Sequence, residues 1–355
     1  MIRKLIKVIA FLLTVVIAVA AVGILVLTIA EYKPADTEAV VSAGTANGQL
    51  HAGDTVRVVS WNLGFGALGD NADFFMDGGS MVTTADRERV EQNLNDIVGF
   101  LTGESPDIIF LQEVDLNSDR TYRIDERAVL SKAFPDDVSQ FAYNYRALYV
   151  PYPLPPIGHV ESGLLTYSRY QIASGSRIQL PCPFSWPVRM VNLKRCLLVS
   201  RIPVADTGRE LVMVNLHLEA YDDGAGKAAQ TAMLAAFLKA ECDKGNYVIA
   251  GGDFNQIFSN ADSERWPVRE GMWTPGVINV NDFDSRLSLL MDGRVPTCRS
   301  LDKPYAGADK DDFQYYLIDG FIVSDNLVVE NLETVQLDFT ASDHNPLRLT
   351  LTLRP

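Results

Sequence analysis

Residues 246–257 read NYVIAGGDFNQI. An apolar run crosses two glycines and delivers Asp253 and Asn255 at its end. A β-branched stretch of this length between turn residues predicts a buried strand. The polar pair then sits where a strand meets its loop. The same construction recurs outward in both directions. VRVVSWNLGFG (56–66) is a strand ending at Asn62, and PDIIFLQEVD (106–115) ends at Gln112 and Glu113. ELVMVNLHLEAY (210–221) carries His217, YYLIDGFIVS (315–324) carries Asp319, and FTASDHNPLRLTLTL (339–353) runs from Asp343 and His344 into an alternating strand.

Helical text lies between these runs. In ADRERVEQNLNDIVGFL (85–101), Val90, Leu94, Ile97, Val98 and Leu101 fall at helical spacing, with Thr84 as the expected N-cap. AGKAAQTAMLAAFLKAEC (225–242) is a second helix. Alternating strands and helices place the chain in the α/β class. Each polar residue, taken singly, has a structural reading. Asn62 suits a turn beside Gly64, His217 a hydrogen-bonded core, and Asp343-His344 a turn before Pro346. Six such strand ends together point elsewhere. Strands of one sheet place their ends along one rim, where α/β sites are built.

The N-terminus reads differently. Residues 8–30, VIAFLLTVVIAVAAVGILVLTIA, hold no charge. About 20 such residues span a bilayer as a helix. Arg3, Lys4 and Lys7 precede the run, and Glu31 and Asp36 follow it. That asymmetry predicts a single-pass anchor with the rest of the chain extracytoplasmic. A cleaved signal peptide is the rival reading, with a shorter apolar stretch as its usual form. Residues 1–31 are thus expected as anchor, 32–54 as a flexible tether rich in Ala, Thr and Gly, and 55–355 as one domain.

The formal net charge is −14, and without the three basic residues of the anchor it is −17. A domain that grips long nucleic acid by its backbone draws its affinity from a basic surface. The acidic balance therefore disfavours duplex DNA and is compatible with a divalent cation or a small or lipid-borne phosphate. The four cysteines have no zinc-site spacing. Cys182 and Cys196 flank one loop and either pair or stay free.

The segments SWNLGFG, IIFLQEVD, SGLLTYSRY, VNLHLEA, AGGDFNQI, IDGFIVS and SDHNPL together resemble the endonuclease/exonuclease/phosphatase superfamily. They follow its order from about residue 55 to 353. The resemblance implies a four-layer α-β-β-α sandwich of two packed mixed sheets. It implies that Glu113 is the principal ligand of Mg2+ or Mn2+, with Asn62 and Asp343 beside it. Asp253 would orient or deprotonate the attacking water, and Asn255 would hold the phosphate. His344, paired with Asp319, would contact the scissile phosphate, and His217 would donate to the phosphate or leaving-group side. The loops DNADFFMDGGSM (70–81) and 260–276 depart from the basic text of the family's nucleases. PCPFSWPVRMVNLKRC (181–196) is the most basic and aromatic loop, fit either for a headgroup or for packing between strands.

Three functions follow. The first is a monomeric, metal-dependent phosphoesterase acting outside the membrane on a phospholipid headgroup or small phosphate. The second is a nuclease of the same fold, and the third a catalytically silent phosphate-binding module. Every polar position of the motif set is intact, which favours an enzyme.

Overall fold

A computed structural model describes residues 1–355. Four α-helices run Ile2–Ile29 (α1), Arg87–Glu104 (α2), Glu126–Ala133 (α3) and Ala225–Asp243 (α4). The first strands are Thr37–Ala39 (β1), Leu50–His51 (β2), Thr55–Asn62 (β3), Ile108–Asp115 (β4), Val138–Val150 (β5) and Gly158–Ser168 (β6). Then come Ser174–Gln179 (β7), Cys196–Ala205 (β8), Arg209–His217 (β9), Tyr247–Asp253 (β10), Gln256–Phe258 (β11) and Gly276–Ile278 (β12). The last are Leu287–Leu290 (β13), Cys298–Arg299 (β14), Tyr315–Tyr316 (β15), Asp319–Ser324 (β16), Leu327–Thr334 (β17) and Leu347–Leu353 (β18).

One mixed sheet runs β1-β7-β8-β9-β10-β16-β13, with β2 beside β8. The other runs β17-β18-β3-β4-β6-β5. Side chains alternate across each strand, so each sheet can bury both faces. Val58, Phe110, Met213, Ile249 and Phe321 meet between the sheets. Val59, Ile109 and Leu111 point the other way, onto Leu94, Ile97 and Leu130 of α2 and α3. Val212, Val214 and Val248 pack on Leu234 and Leu238 of α4. Helix, sheet, sheet, helix is the four-layer sandwich that the resemblance implies.

α1 stands outside these layers. It is long and apolar enough to cross a membrane, and none of it is buried. α2 begins two residues later than expected. Asp86 is the N-cap and accepts from the Arg89 amide at 2.8 Å, while Thr84 donates instead to the Ala67 carbonyl.

The expectation of a flexible tether over 32–54 does not hold. β1 pairs with β7 and β2 with β8, and Ala46 and Leu50 are buried in the inter-sheet core. Small residues here are the price of close packing against two sheet edges and not a sign of slack. Cys182 and Cys196 do not pair; all four cysteines are free.

Candidate active site

β9 and β10 run parallel and end together, and β16 lies antiparallel on the other side of β10. The register therefore sets His217, Asp253 and Asp319 side by side in one row. In the facing sheet β3 and β4 are also parallel, with Asn62 opposite Gln112. The two rows close on each other at one rim. Asn62 Nδ2 donates to Asp253 Oδ2 at 3.0 Å and to Glu113 Oε1 at 3.3 Å, joining the sheets. Beneath them Gln112 donates to Asn215 at 2.8 Å, a buried polar layer in an otherwise apolar interface.

Local backbone aims the acids. β4 carries a bulge between Leu111 and Val114, and Glu113 inside it has φ 55°. A non-glycine residue in that region costs free energy and clusters at functional sites. Gly252 at φ 141° lies against the Leu216 carbonyl, where a Cβ has no room. At Gly64, φ 52°, a Cβ would stand 2.7 Å from Asp343 Oδ1. Gly252 lets β10 approach the β9 backbone beside Asp253, and Gly64 lets backbone approach Asp343.

β18 is preceded by Asp343 and His344, and Ser342 fixes that turn by donating to the Asn62 carbonyl at 2.7 Å. His344 Nδ1 lies 2.8 Å from Asp319 Oδ2. Its Nε2 is 3.8 Å from Asp253 Oδ2 and 4.0 Å from Asp343 Oδ2. His217 Nε2 is 3.4 Å from the same Asp253 oxygen, and its buried Nδ1 has no hydrogen-bond partner. Asn255 caps Asp253, its amide donating at 2.8 Å, and its side chain is tied to the Leu218 carbonyl. All eight residues expected at the site thus meet at one rim.

Charge is distributed unevenly there. Burial, and then the charge of Asp319, push the Asp253 carboxyl up to about 7. Burial pulls the His344 imidazole down, but Asp319 and the other neighbours outweigh it and hold it well above the ordinary value. His217 is held well below by burial and by Arg195. One imidazole is therefore a cation and the other neutral. Glu113 and Asp343 are both raised by burial, and Glu113 is raised further by Asp343. Two carboxylates destabilised by burial fit a hard divalent cation, which prefers oxygen donors. Cys298 shares a potential donor cluster with Asp343 and His344, but burial pushes its thiol up to about 12, so it stays neutral.

Sequence reading missed several neighbours. Asp77 lies near enough for the charge of Asp343 to act on it. Burial and that charge raise it to about 6, and Tyr221 donates to it at 3.1 Å. Arg120 pairs with Asp115 at 2.9 Å and lies 3.6 Å over the Phe65 ring. Thr297 accepts the Asp319 amide at 3.2 Å. These come from loops, where no periodicity marks a position. Among the tryptophans, Trp186 is exposed, while Trp266 and Trp273 pack on Tyr315 and Tyr316.

The model of the endonuclease/exonuclease/phosphatase family matches residues 59–344. The chain belongs to this family. Its members are generally phosphoester hydrolases. No curated protein matches the chain. Among solved structures it resembles an endonuclease/exonuclease/phosphatase from Beutenbergia cavernae (18% identity, 84% of this chain and 72% of that one, TM-score 0.53). A homologue of the same description from Bacteroides vulgatus has 16% identity over 85% of this chain and 100% of that one, with TM-score 0.52. ANGEL2, a 2',3'-cyclic phosphatase in complex with adenosine-2',3'-vanadate, has 14% identity over 85% and 97% of the two chains, with TM-score 0.55. At such identities the likeness is one of fold.

Proposed function

We propose that the protein hydrolyses a phosphodiester or phosphomonoester of a phospholipid headgroup or small phosphate, on the extracytoplasmic side of the membrane that α1 spans. The observation that carries the hydrolytic reading is Asp253. It stands between Asn62, His217 and His344, and His344 is itself held by Asp319. An acid raised by burial accepts a proton near neutral pH. A cationic histidine fixed by a carboxylate donates to a phosphate oxygen.

In the reaction, a water oxygen bonds to phosphorus while its proton passes to Asp253. The bond from phosphorus to the leaving oxygen breaks. His344 donates to a non-bridging oxygen, and Asn255 supports the phosphate without adding charge. His217 would donate a hydrogen bond on the phosphate or leaving-group side. Glu113, with Asn62 and Asp343, would hold Mg2+ or Mn2+. When bound, such an ion offsets negative charge on the phosphate oxygens. Charge and position support the substrate class: the chain beyond the anchor carries −17, a poor match for a polyanionic duplex.

The test uses the full chain in vesicles. kcat/KM is measured on phospholipids, soluble phosphoesters and plasmid DNA, with Mg2+ and with chelator. Turnover of the first two, abolished by chelator, is expected. Salt-sensitive nicking of plasmid without phospholipid turnover would instead assign a nuclease.

A further inference from the structure

The chain enters the domain at the rim that holds the site. β9 ends there at His217. β8 is antiparallel to β9 and so begins there, β7 is antiparallel to β8 and ends there at Gln179, and β1 is antiparallel to β7 and begins there at Thr37. Only Ala30–Asp36 separate β1 from the end of α1.

That junction is not slack. Glu31 is buried, accepts from Arg189 Nε at 2.8 Å and lies 3.6 Å from Lys194 Nζ. Tyr32 packs edge-on to Tyr143 of β5, with Arg146 and Arg177 over its ring. In the last turn of α1, Thr28 Oγ1 accepts from Trp186 Nε1 at 3.2 Å. The loop 181–195 thus clasps the last turn of the helix, and the helix and domain form one piece.

The rim beyond this clasp is apolar. Trp186 and Val188 are more than half exposed. Tyr152 and Leu154, on the turn between β5 and β6, are 70% and 88% exposed. Tyr145 of β5 donates to the Val191 carbonyl, linking that turn to the clasp. On its far side Tyr152 meets the Phe75 ring at 6.0 Å, beside exposed Met76. Next to Met76, Asp77 accepts from Tyr221 and feels the charges of Asp343 and Glu113. The basic residues of the clasp are spent internally, Arg189 and Lys194 on Glu31 and Arg195 on Glu219.

We propose that this rim docks on the bilayer that α1 spans, so that the catalytic mouth faces the lipid and takes its phosphoester from the membrane surface. This rests on the placement of α1 in a membrane. Topology gives the direction, the clasp removes the freedom to turn away, and exposed Trp, Tyr and Leu side chains suit the interfacial layer. Docking is driven by apolar insertion, since the nearby cations are already paired, and is therefore insensitive to the fraction of anionic lipid.

The experiment places an environment-sensitive nitrobenzoxadiazole label at L154C, V188C or V328C in full-length C182S protein. Val328 lies on β17, the opposite edge of the sheet from β5, and is exposed. The protein is reconstituted in phosphatidylcholine vesicles with and without phosphatidylglycerol. Labels at 154 and 188 are expected to be quenched by doxyl lipids and protected from aqueous dithionite at both compositions, and the label at 328 not. A label at 154 as accessible as that at 328 overturns the proposal. A second arm uses Y152S/L154S, expected to lower turnover of vesicle phospholipid by at least about tenfold and to leave a soluble nitrophenyl phosphoester unchanged. Equal loss on both substrates also overturns it. Lipid turnover with an aqueous label at 154 would keep the substrate and refute the orientation. A protected label with turnover of soluble phosphate alone would do the reverse.

Discussion

Asp253, Asp319 and Asp343 are buried acids packed around His344, and their mutual repulsion is part of what the site costs the fold. Asp253→Asn and His344→Ala should each lower kcat by about a hundredfold or more, the scale for losing one proton-transfer or charge-stabilising group. Asp253→Asn should also raise Tm, because it removes a desolvated charge beside Asp319; calorimetry of both variants checks this. Glu113→Gln should abolish the stabilisation that added Mg2+ or Mn2+ gives, read as the Tm increment on metal addition. Unchanged increments would place the ion elsewhere. Asn62, Glu113, His217 and Asp253 were legible because each ends an apolar run, and Asp343-His344 because it opens one. Asp77 was not, since nothing in DNADFFMDGGSM distinguishes an acid that turns inward from one that faces water.

At the scale of elements, α1, α2, α4 and the six strands that carry the site were legible to within a few residues, because period and burial agree in them, whereas α3 and the shorter edge strands were not. The bulge in β4 was not, since one extra residue leaves the alternation of IIFLQEVD nearly intact. Ion pairs between elements are also silent in sequence. Glu241 of α4 accepts from Arg201 of β8 at 2.6 Å and from Asn246 at 2.8 Å, pinning the helix to its sheet. Burial opposes its charge, but these bonds prevail and draw its carboxyl down to about 2. A depressed pKa contributes stability above the ordinary carboxylate value and loses it as pH falls toward 2. Glu241→Gln should therefore destabilise at pH 7 by about 1–3 kcal/mol, with a smaller penalty near pH 2. Urea unfolding at both pH values measures the difference.

At the scale of the molecule, the four-layer arrangement was legible and the attachment of the anchor was not. Composition cannot tell a linker from an edge strand when both are short and small, as TEA of β1 is. The structure makes residues 32–54 part of the domain. A chain beginning at residue 31, which keeps the buried Glu31, should keep the Tm of the full protein, whereas one beginning at 55 should melt lower by about 5 °C or more. It loses buried Leu50, worth about 2 kcal/mol, and uncovers the β7 edge. Equal melting temperatures would mean that β1 and β2 add nothing.

The last strand carries a consequence for how the protein is handled. β18 is antiparallel to β3, so it starts at the rim with Asn62 and finishes at the other pole, where Thr352 sits opposite Thr55. The carboxyl terminus thus emerges at the end of the sandwich remote from both the catalytic mouth and α1. A fluorescent protein or affinity handle fused after Pro355 would stand clear of the reaction. Grafting the apolar helix there instead would turn the molecule over, presenting the same chemistry to bulk solvent.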